Sequence, residues 1–189
     1  MTTVLIAIIP VFWIIFLVYW IVQGRRVKPA VEKQSRLSSF AYRVPLMLCG
    51  ILLSFPYSRF PLGTALTPRT ELTAAIGVAV CALGLCVTIW ARRTLAGNWS
   101  NQITFKEGHE LVQSGPYRFV RHPIYTGLLL MCLGTATASG QVHAWLGFLF
   151  MGAGFWIKLK QEESLMLRHF PNDYPSYKNR VKALVPFVI

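Results

Sequence analysis

Two uncharged apolar stretches of 19 residues, Val4 to Val22 and Leu72 to Trp90, constrain the fold more than any other feature of the sequence. A helix of this length is about 28 Å long and almost crosses a hydrocarbon core of roughly 30 Å. Of the 189 residues, 54% are hydrophobic and only 14% are charged, which is more apolar surface than a soluble domain can bury. The sequence therefore predicts an integral membrane protein embedded in the lipid bilayer.

Three shorter apolar stretches complete the set of candidate helices. Val44 to Tyr57 extends back through residues 40–42, while Ile124 to Ala138 and Val142 to Ile157 follow a long polar segment. Only Ser139-Gly140-Gln141 separates the last two stretches, and so short a link forces them into an antiparallel hairpin. The predicted fold is therefore all-α and polytopic, with about five transmembrane helices, of which the last two form the hairpin.

A single membrane domain over residues 1–189 accounts for this pattern. Residues 1–90 hold three spans, residues 91–123 form a cytoplasmic connector, and residues 124–189 hold the hairpin and the tail, where we expect the functional site. The first stretch is expected to stay as a span, because no basic n-region or small-residue cleavage site accompanies it. Asn101 to Phe105, within the connector, is compatible with a short strand.

The basic residues are clustered between the apolar stretches. Of 19 Lys and Arg residues, 17 lie in three clusters, Arg25 to Arg43, Arg92 to Arg121 and Lys158 to Lys182. Because positive loops stay on the cytoplasmic side, this pattern predicts an N-terminus outside and a C-terminus in the cytoplasm. It makes anionic headgroups, and not nucleic acid, the expected partner of the net charge of +12. A bacterial inner membrane and an endoplasmic-reticulum-type membrane both fit, and the oligomeric state stays open.

The cysteine and histidine residues show no metal-ligand pattern. All four cysteines lie inside apolar stretches without a Cys-x-x-Cys pair, and the four histidines lack ligand spacing. We therefore predict no metal and no disulfide framework. The sequence also lacks a Gly-x-Ser-x-Gly elbow, a phosphate loop and a Gly-x-Gly-x-x-Gly fingerprint, which argues against soluble-type hydrolase and nucleotide-binding folds.

The polar stretch Glu107 to Gly127, EGHELVQSGPYRFVRHPIYTG, leads directly into the predicted hairpin. Pro123 suits the first turn of a helix, where its missing N–H costs nothing. The free amides of that turn, together with His122 and Arg121, favour an anion. An interfacial Arg-His pair that only anchors a helix is an equally simple interpretation.

Glu162 and Glu163 follow the last apolar stretch. If the fifth helix ends there, these carboxylates oppose its dipole, and a site that requires negative charge would explain them. Alternatively the helix continues to His169, and Lys158 and Glu162 form an ordinary i,i+4 pair on a solvated face. An anion site and a carboxylate pair at one depth together suit a zwitterion such as an amino acid moiety.

These motifs resemble the isoprenylcysteine carboxyl methyltransferase family, which is itself similar to phospholipid N-methyltransferases. The resemblance covers about residues 97–189, and the first three spans match only in hydrophobicity. The matching elements, in order, are Gly108-His109-Glu110-Leu111-Val112, Gly115-Pro116-Tyr117, Arg121-His122-Pro123-Ile124-Tyr125-Thr126-Gly127 and Glu162-Glu163.

The resemblance implies a membrane methyltransferase that binds S-adenosyl-L-methionine at the cytoplasmic ends of the last two spans. Different parts of the cofactor would then contact different parts of the motif: the adenosine with the backbone around His109, Glu110, Leu111 and Val112, the base with Tyr117, the methionine end with His122, Pro123, Ile124 and Tyr125, and the ammonium with Glu162. Gln102 falls where some members use a glutamine to contact the cofactor.

Two basic residues are candidates for a catalytic role. Lys158 falls where members that act on prenylcysteine carry an arginine for the substrate carboxylate, and lysine keeps the charge but loses the bidentate fork. Lys158 or Arg121 would orient a lipid-like or prenylcysteine-type acceptor. A carboxylate acceptor is already ionised at neutral pH, so its methylation requires neither a general base nor a metal.

Other functions stay open at the level of sequence. A lipid amine, or another small apolar acceptor, would be an alternative substrate, and an amine would require a proton acceptor such as Glu163 or Tyr125. More distant alternatives are an NADPH-dependent sterol-type reductase, because some of these enzymes have a similar C-terminal hairpin, and a non-catalytic membrane scaffold.

Overall fold

The structure is a computed structural model and describes residues 1–24, 30–33, 36–54, 61–96, 104–106 and 111–188. Six helices and one two-stranded ribbon follow each other along these residues: α1 (Thr2–Gly24), β1 (Ala30–Lys33), α2 (Arg36–Ser54), α3 (Glu71–Leu95), β2 (Thr104–Lys106), α4 (Pro123–Ser139), α5 (Val142–His169) and α6 (Tyr174–Arg180). A short 3₁₀ helix, Gly115–Arg118, precedes α4.

Each of the five apolar stretches is helical over the residues that the structure describes. Three of them, α1, α3 and α5, are long and apolar enough to cross a membrane by length and composition, and α4 and residues 38–54 of α2 are shorter apolar helices. The all-α, polytopic fold predicted from the sequence is confirmed, and the described residues add one antiparallel ribbon in which Lys33 pairs with Thr104. Residues 104 and 105 of the Asn101 to Phe105 strand considered from the sequence lie in β2, and residues 101–103 lie outside the described residues.

Close contact between α3 and α4 depends on glycine. A Cβ atom on Gly77 would lie 2.5 Å from the carbonyl oxygen of Gly134, and one on Gly84 would lie 2.5 Å from that of Gly127. The two pairs run in opposite directions along the chain, so α3 and α4 are antiparallel. Small residues let helix backbones approach closely in membranes, where lipid is as apolar as a leucine side chain.

The second helix pair, α2 with α5, is also antiparallel. Gln161 donates to the carbonyl oxygen of Ser38 at 3.2 Å near one end, and near the other a Cβ on Gly147 would lie 3.3 Å from Leu53. Between these contacts a Cβ on Gly154 would lie 2.8 Å from Leu46, so a larger residue would push α2 away. The first half of the chain therefore contributes directly to the surroundings of the hairpin.

The turn between α4 and α5 is hydrogen-bonded to the segment between α2 and α3. Gly140 ends α4 with φ +67°, a backbone conformation that side chains disfavour, and its carbonyl oxygen accepts from the amide of Leu66 at 2.7 Å. The amide of Val142 donates to Thr64 at 3.0 Å. The segment between α2 and α3 thus closes the end of the hairpin opposite Glu162.

Helix α5 is longer than the apolar stretch from which it was predicted. It has 28 residues and ends at His169, so the alternative of a helix that continues past Ile157 is the correct one. At 1.5 Å per residue it measures about 42 Å, longer than a hydrocarbon core of roughly 30 Å. Glu162 and Glu163 therefore lie within the helix, about two turns before its end, and do not oppose its dipole at the terminus.

Replacing Gly84 by alanine tests the α3–α4 packing. The new Cβ would lie 2.5 Å from the Gly127 carbonyl oxygen and 2.6 Å from the Met131 amide nitrogen, so the two helices must separate. We expect a loss of about 1–3 kcal/mol of stability, measured as a lower thermal unfolding temperature in detergent.

The matched control is Gly152→Ala in α5, because a Cβ at that position meets no atom within 4 Å. Equal unfolding temperatures for the two variants would contradict the proposed close approach of α3 and α4.

Candidate functional site

The first turn of α4 packs against the second half of α5 through three polar side chains. The Tyr125 hydroxyl donates to Glu162 Oε1 at 2.5 Å, and His122 Nδ1 lies 3.5 Å from Glu162 Oε2. The Tyr125 ring stacks between His122, with centroids 5.4 Å apart, and Phe155, with centroids 4.5 Å apart. Pro123 begins α4 and His122 caps it, as the sequence predicts, so the cap residue and the first turn both face Glu162.

Lys158 lies one turn before Glu162 on α5. Its ammonium is 4.0 Å from Glu162 Oε1, and its side chain is only 9% exposed. The ammonium also lies 5.3 Å from the ring centroid of Tyr42 and 5.4 Å from that of Tyr125, both within the range of a cation–π contact. The i,i+4 pair considered from the sequence is therefore present, but its Lys158 ammonium is buried near two aromatic rings and does not lie on a solvated face.

Glu163 points away from Glu162 and is almost completely buried, with 3% of its side chain exposed. Its Oε1 accepts from Arg121 Nη2 at 2.5 Å and from Arg121 Nε at 2.9 Å, and its Oε2 pairs with Lys178 Nζ at 2.9 Å. His122 Nε2 lies 3.4 Å from the same carboxylate. Burial of a charge is costly unless it is paired, and Glu163 has three cationic partners.

Arg121 also holds the C-terminal segment in place. Beyond its contacts with Glu163, its guanidinium donates to the carbonyl oxygens of Lys178 and Val181. The backbone of residues 120–122 runs parallel to residues 182–183, with the amide of Arg121 bonded to the Lys182 carbonyl at 2.8 Å and that of His122 bonded to Ala183 at 3.0 Å. The C-terminal segment therefore lies across the start of α4.

Tyr117, in the 3₁₀ helix, is buried beside this arrangement. The Tyr177 hydroxyl of α6 donates to the Tyr117 carbonyl oxygen at 2.7 Å. Burial, and after it the negative charge of Glu162, raise the pKa of Tyr117, so the phenol stays neutral. Tyr117 is thus a neutral aromatic surface close to Glu162.

The charge of His122 follows from its neighbours. Burial alone would lower the pKa of His122, but the contacts with Glu162 and Glu163 outweigh burial and raise the pKa above the ordinary value of 6.5. The raised pKa favours the protonated, positively charged form of His122. His122 lies between the two carboxylates at the N-terminus of α4, where the free backbone amides add partial positive charge.

The structure brings together most of the residues that the sequence nominated. Those that surround Glu162 are Tyr117, His122, Tyr125 and Lys158, with Arg121 behind them on Glu163. Pro123 and Ile124 are buried in the first turn of α4. Leu111 and Val112 are half-buried just before the 3₁₀ helix, and Val112 packs against the core. Gln102, His109 and Glu110 lie outside the described residues. The binding and catalytic roles of all these residues stay predictions.

Three residues of the site were not found from the sequence, and the first is Phe155, which stacks on Tyr125. Tyr42 comes from α2, more than a hundred positions before Lys158, and no motif marks it. Lys178 belongs to a basic and aromatic tail in which nothing distinguishes it as the partner of Glu163. Its spacing from Arg180 does not identify Lys178 as this partner, because basic residues recur throughout the segment.

The adjacent carboxylates of Glu162 and Glu163 differ in exposure and in how closely cations surround them. Glu163 is enclosed by cations, whereas 23% of the Glu162 side chain is exposed and its nearest cations, His122 and Lys158, lie at 3.5 Å and 4.0 Å. Glu162 can therefore still accept a hydrogen bond from a small cationic group, and the N-terminus of α4 beside it suits an anion. A zwitterion with both charges fits this pair of features.

The fold and the site define a polytopic integral membrane protein with a charged, aromatic-lined site where a helical hairpin meets the C-terminal segment. A family model for phospholipid methyltransferases matches residues 72–173, more than half of the chain. The chain belongs to this family. The match includes α3, α4 and α5 and therefore the residues around Glu162.

Several characterised proteins are similar to this chain. The protein-S-isoprenylcysteine O-methyltransferase of Saccharomyces cerevisiae is 28% identical over 63% of this chain and 51% of its own length. That of Rattus norvegicus is 30% identical over 63% of this chain and 43% of its own. These matches confirm the resemblance to isoprenylcysteine carboxyl methyltransferases, and the chain spans about half the length of these relatives.

A solved structure is also similar. The eukaryotic intramembrane Ras methyltransferase ICMT (isoprenylcysteine carboxyl methyltransferase) matches with a TM-score of 0.56 and 25% identity, over 84% of this chain and 55% of that chain. The similarity covers more of the chain than the motifs around α4 and α5.

The charge of His122 predicts a pH-dependent contribution to stability. A raised pKa in the folded state means that protonated His122 stabilises the fold fully below its ordinary pKa of 6.5 and that this contribution disappears as the pH rises through the raised value. Wild type should therefore exceed His122→Gln in thermal stability at about pH 5, and the difference should shrink by about pH 9.

The control is the same substitution at His169, the last residue of α5. A wild-type advantage over His122→Gln that is constant, or that increases with pH, would contradict a protonated His122 between the two glutamates.

Proposed function

We propose that the chain is an S-adenosyl-L-methionine-dependent methyltransferase of the membrane that transfers a methyl group to a carboxylate of a lipid-like acceptor. The observation that carries this proposal is the accessible Glu162 carboxylate, held by Tyr125 at 2.5 Å beside the N-terminus of α4 and the buried Lys158 ammonium. The fold and the family are those of membrane methyltransferases.

The residues fit the charged end of this cofactor. The methionine end carries an ammonium and a carboxylate, and Glu162 would pair with the ammonium. Protonated His122 and the free amides of Ile124 and Tyr125, which follow Pro123, would receive the carboxylate. The N-terminus of α4, which is partially positive, thus lies next to the negative Glu162 carboxylate. This pair is complementary to the carboxylate and the ammonium of a zwitterion.

The remaining cofactor contacts are proposed from the family motif. Tyr117, which is neutral and buried close to Glu162, would line the adenine, and the backbone near Leu111 and Val112 would contact the adenosine. Gln102, His109 and Glu110 are proposed to complete this part of the site.

When bound, the cofactor supplies a methyl group on a sulfonium sulfur, which a carboxylate oxygen can accept without losing a proton. The protein must then hold the acceptor in line and exclude water, and positioning of this kind supplies up to roughly 7–11 kcal/mol. Lys158 is proposed to hold the acceptor carboxylate, because its ammonium lies buried one turn from Glu162.

The surroundings of Arg121 and Lys158 favour different roles for the two residues. The Arg121 guanidinium is bonded to Glu163 and to two carbonyl oxygens of the C-terminal segment. We therefore assign Arg121 a positioning role, in which it holds Glu163 and the C-terminal segment so that His122 faces Glu162. Lys158 remains the residue proposed to contact the acceptor.

A lipid amine is the second candidate acceptor, because the matching family model describes phospholipid methyltransferases. An amine must lose a proton as it is methylated, and the hydrogen-bonded pair Tyr125 and Glu162 would be the proton acceptor. Glu163 is a poorer base, since Arg121 and Lys178 neutralise it. For either acceptor we propose an N-terminus outside and a C-terminus in the cytoplasm, so that the site faces the soluble cofactor.

Replacing Glu162 by alanine tests the cofactor assignment. The variant loses the proposed partner of the ammonium, so binding of S-adenosyl-L-methionine, measured by isothermal titration calorimetry of the purified protein, should weaken by at least about a hundredfold. Asp173→Ala, which removes an exposed carboxylate before α6, is the control and should bind as wild type does. An unchanged dissociation constant for Glu162→Ala would refute the assignment.

The acceptor is tested with cofactor that carries a labelled methyl group. Incubation of the purified chain with an N-acetylated S-prenylcysteine should give labelled product that base releases, as expected of a methyl ester. Incubation with a phospholipid extract should give little base-stable label. The opposite distribution would favour the amine acceptor, and no labelled product with either would sink the enzymatic proposal.

A further inference from the structure

Tyr42 on α2 has an unusual environment for a residue that belongs to none of the sequence motifs. It is 3% exposed, and its hydroxyl oxygen is buried without a hydrogen-bond partner among the residues that the structure describes. Burial of an unpaired hydroxyl is unfavourable, and such groups in folded proteins call for a partner. The Tyr42 hydroxyl is therefore a buried donor that no described residue accepts from.

The packing of α2 against α5 places Tyr42 next to Lys158. A Cβ on Gly154 would lie 3.2 Å from the Tyr42 carbonyl oxygen, so glycine at this position lets the two backbones approach. Lys158 follows Gly154 by one helical turn and therefore lies on the same face of α5. Its ammonium reaches to 5.3 Å from the Tyr42 ring centroid.

The ammonium of Lys158 thus lies near the faces of two tyrosines from different helices. Tyr125 of α4 is 5.4 Å from it, with a hydroxyl already donated to Glu162, whereas the Tyr42 hydroxyl is not donated to any described residue. A positive charge and an unused O–H donor in one buried location suit a ligand that brings negative charge and hydrogen-bond acceptors. A cationic amine would instead be repelled by Lys158.

We propose that Tyr42 is a specificity-determining residue that, together with Lys158, forms a subsite for the carboxylate of the acceptor. This inference rests on the proposed methyltransferase function and deepens it by bringing α2, from the first half of the chain, into the site. The Tyr42 hydroxyl donates to one carboxylate oxygen while the Lys158 ammonium balances its charge. Tyr42 thereby favours a carboxylate over an amine as the methyl acceptor.

The test compares Tyr42→Phe with wild type by equilibrium binding of two probes to the full chain in detergent. One probe is an N-acetylated S-prenylcysteine, which carries a carboxylate, and the other is its neutral carboxamide. Wild type should prefer the carboxylate. Tyr42→Phe, which removes only the hydroxyl, should bind the carboxylate about tenfold more weakly, as expected for one hydrogen bond to a charged group, and should bind the carboxamide about as before.

Tyr19→Phe is the matched control, because Tyr19 on α1 also has a buried hydroxyl without a hydrogen-bond partner among the described residues but is not placed in the site. It should leave binding of both probes unchanged. Thermal unfolding of both variants checks that the fold is retained, and neither should be destabilised by the loss of an unpaired hydroxyl.

The outcomes separate the subsite from the proposed activity. If wild type does not prefer the carboxylate, or if Tyr42→Phe binds it as tightly as wild type does, the subsite is wrong even when wild type forms a methyl ester. If the preference is present and Tyr42→Phe loses it, the subsite stands, and failure of wild type to form an ester then overturns only the proposed reaction.

Discussion

The buried carboxylate of Glu163 is the interaction on which the rest of the site depends. It joins α5 to Arg121 before α4 and to Lys178 on α6, so three separate parts of the chain meet at one charge. Removal of one partner from a buried pair costs about 3–5 kcal/mol, because the remaining charge loses both water and its counter-ion. The position of His122, one residue after Arg121, is therefore set by the ion pair between Arg121 and Glu163.

The two adjacent glutamates have different roles because neighbouring residues on a helix point about 100° apart. Glu163 faces the C-terminal segment and is enclosed, whereas Glu162 faces Tyr125 and Lys158 and is partly accessible. His122 lies between them and contacts both carboxylates. A single step along α5 thus separates the carboxylate that holds the fold together from the carboxylate that is available to a ligand.

Close packing at glycine residues positions the two helices that hold this site. Gly77 and Gly84 allow α3 to pack closely against α4, and Gly154 allows α2 to pack closely against α5. Each helix of the hairpin therefore packs against a helix from the first half of the chain. Because α5 continues well beyond its apolar part, its polar second half reaches the depth at which α4 begins. A water-soluble cofactor and a lipid-like acceptor would both have access to such a place, which is consistent with the family to which the chain belongs.

The sequence by itself determined the all-α membrane class, the hairpin, the start of α4 at Pro123 and the family, because apolar length, turn residues and motif spacing are local properties that a chain carries in any conformation. It also nominated Glu162 through that motif. Only the tertiary structure decided that α5 continues to His169, that Glu163 pairs with Lys178, and that Tyr42 lies beside Lys158. The last two are contacts between different helices, and their register is set by how closely the backbones pack, which no periodicity within one helix encodes.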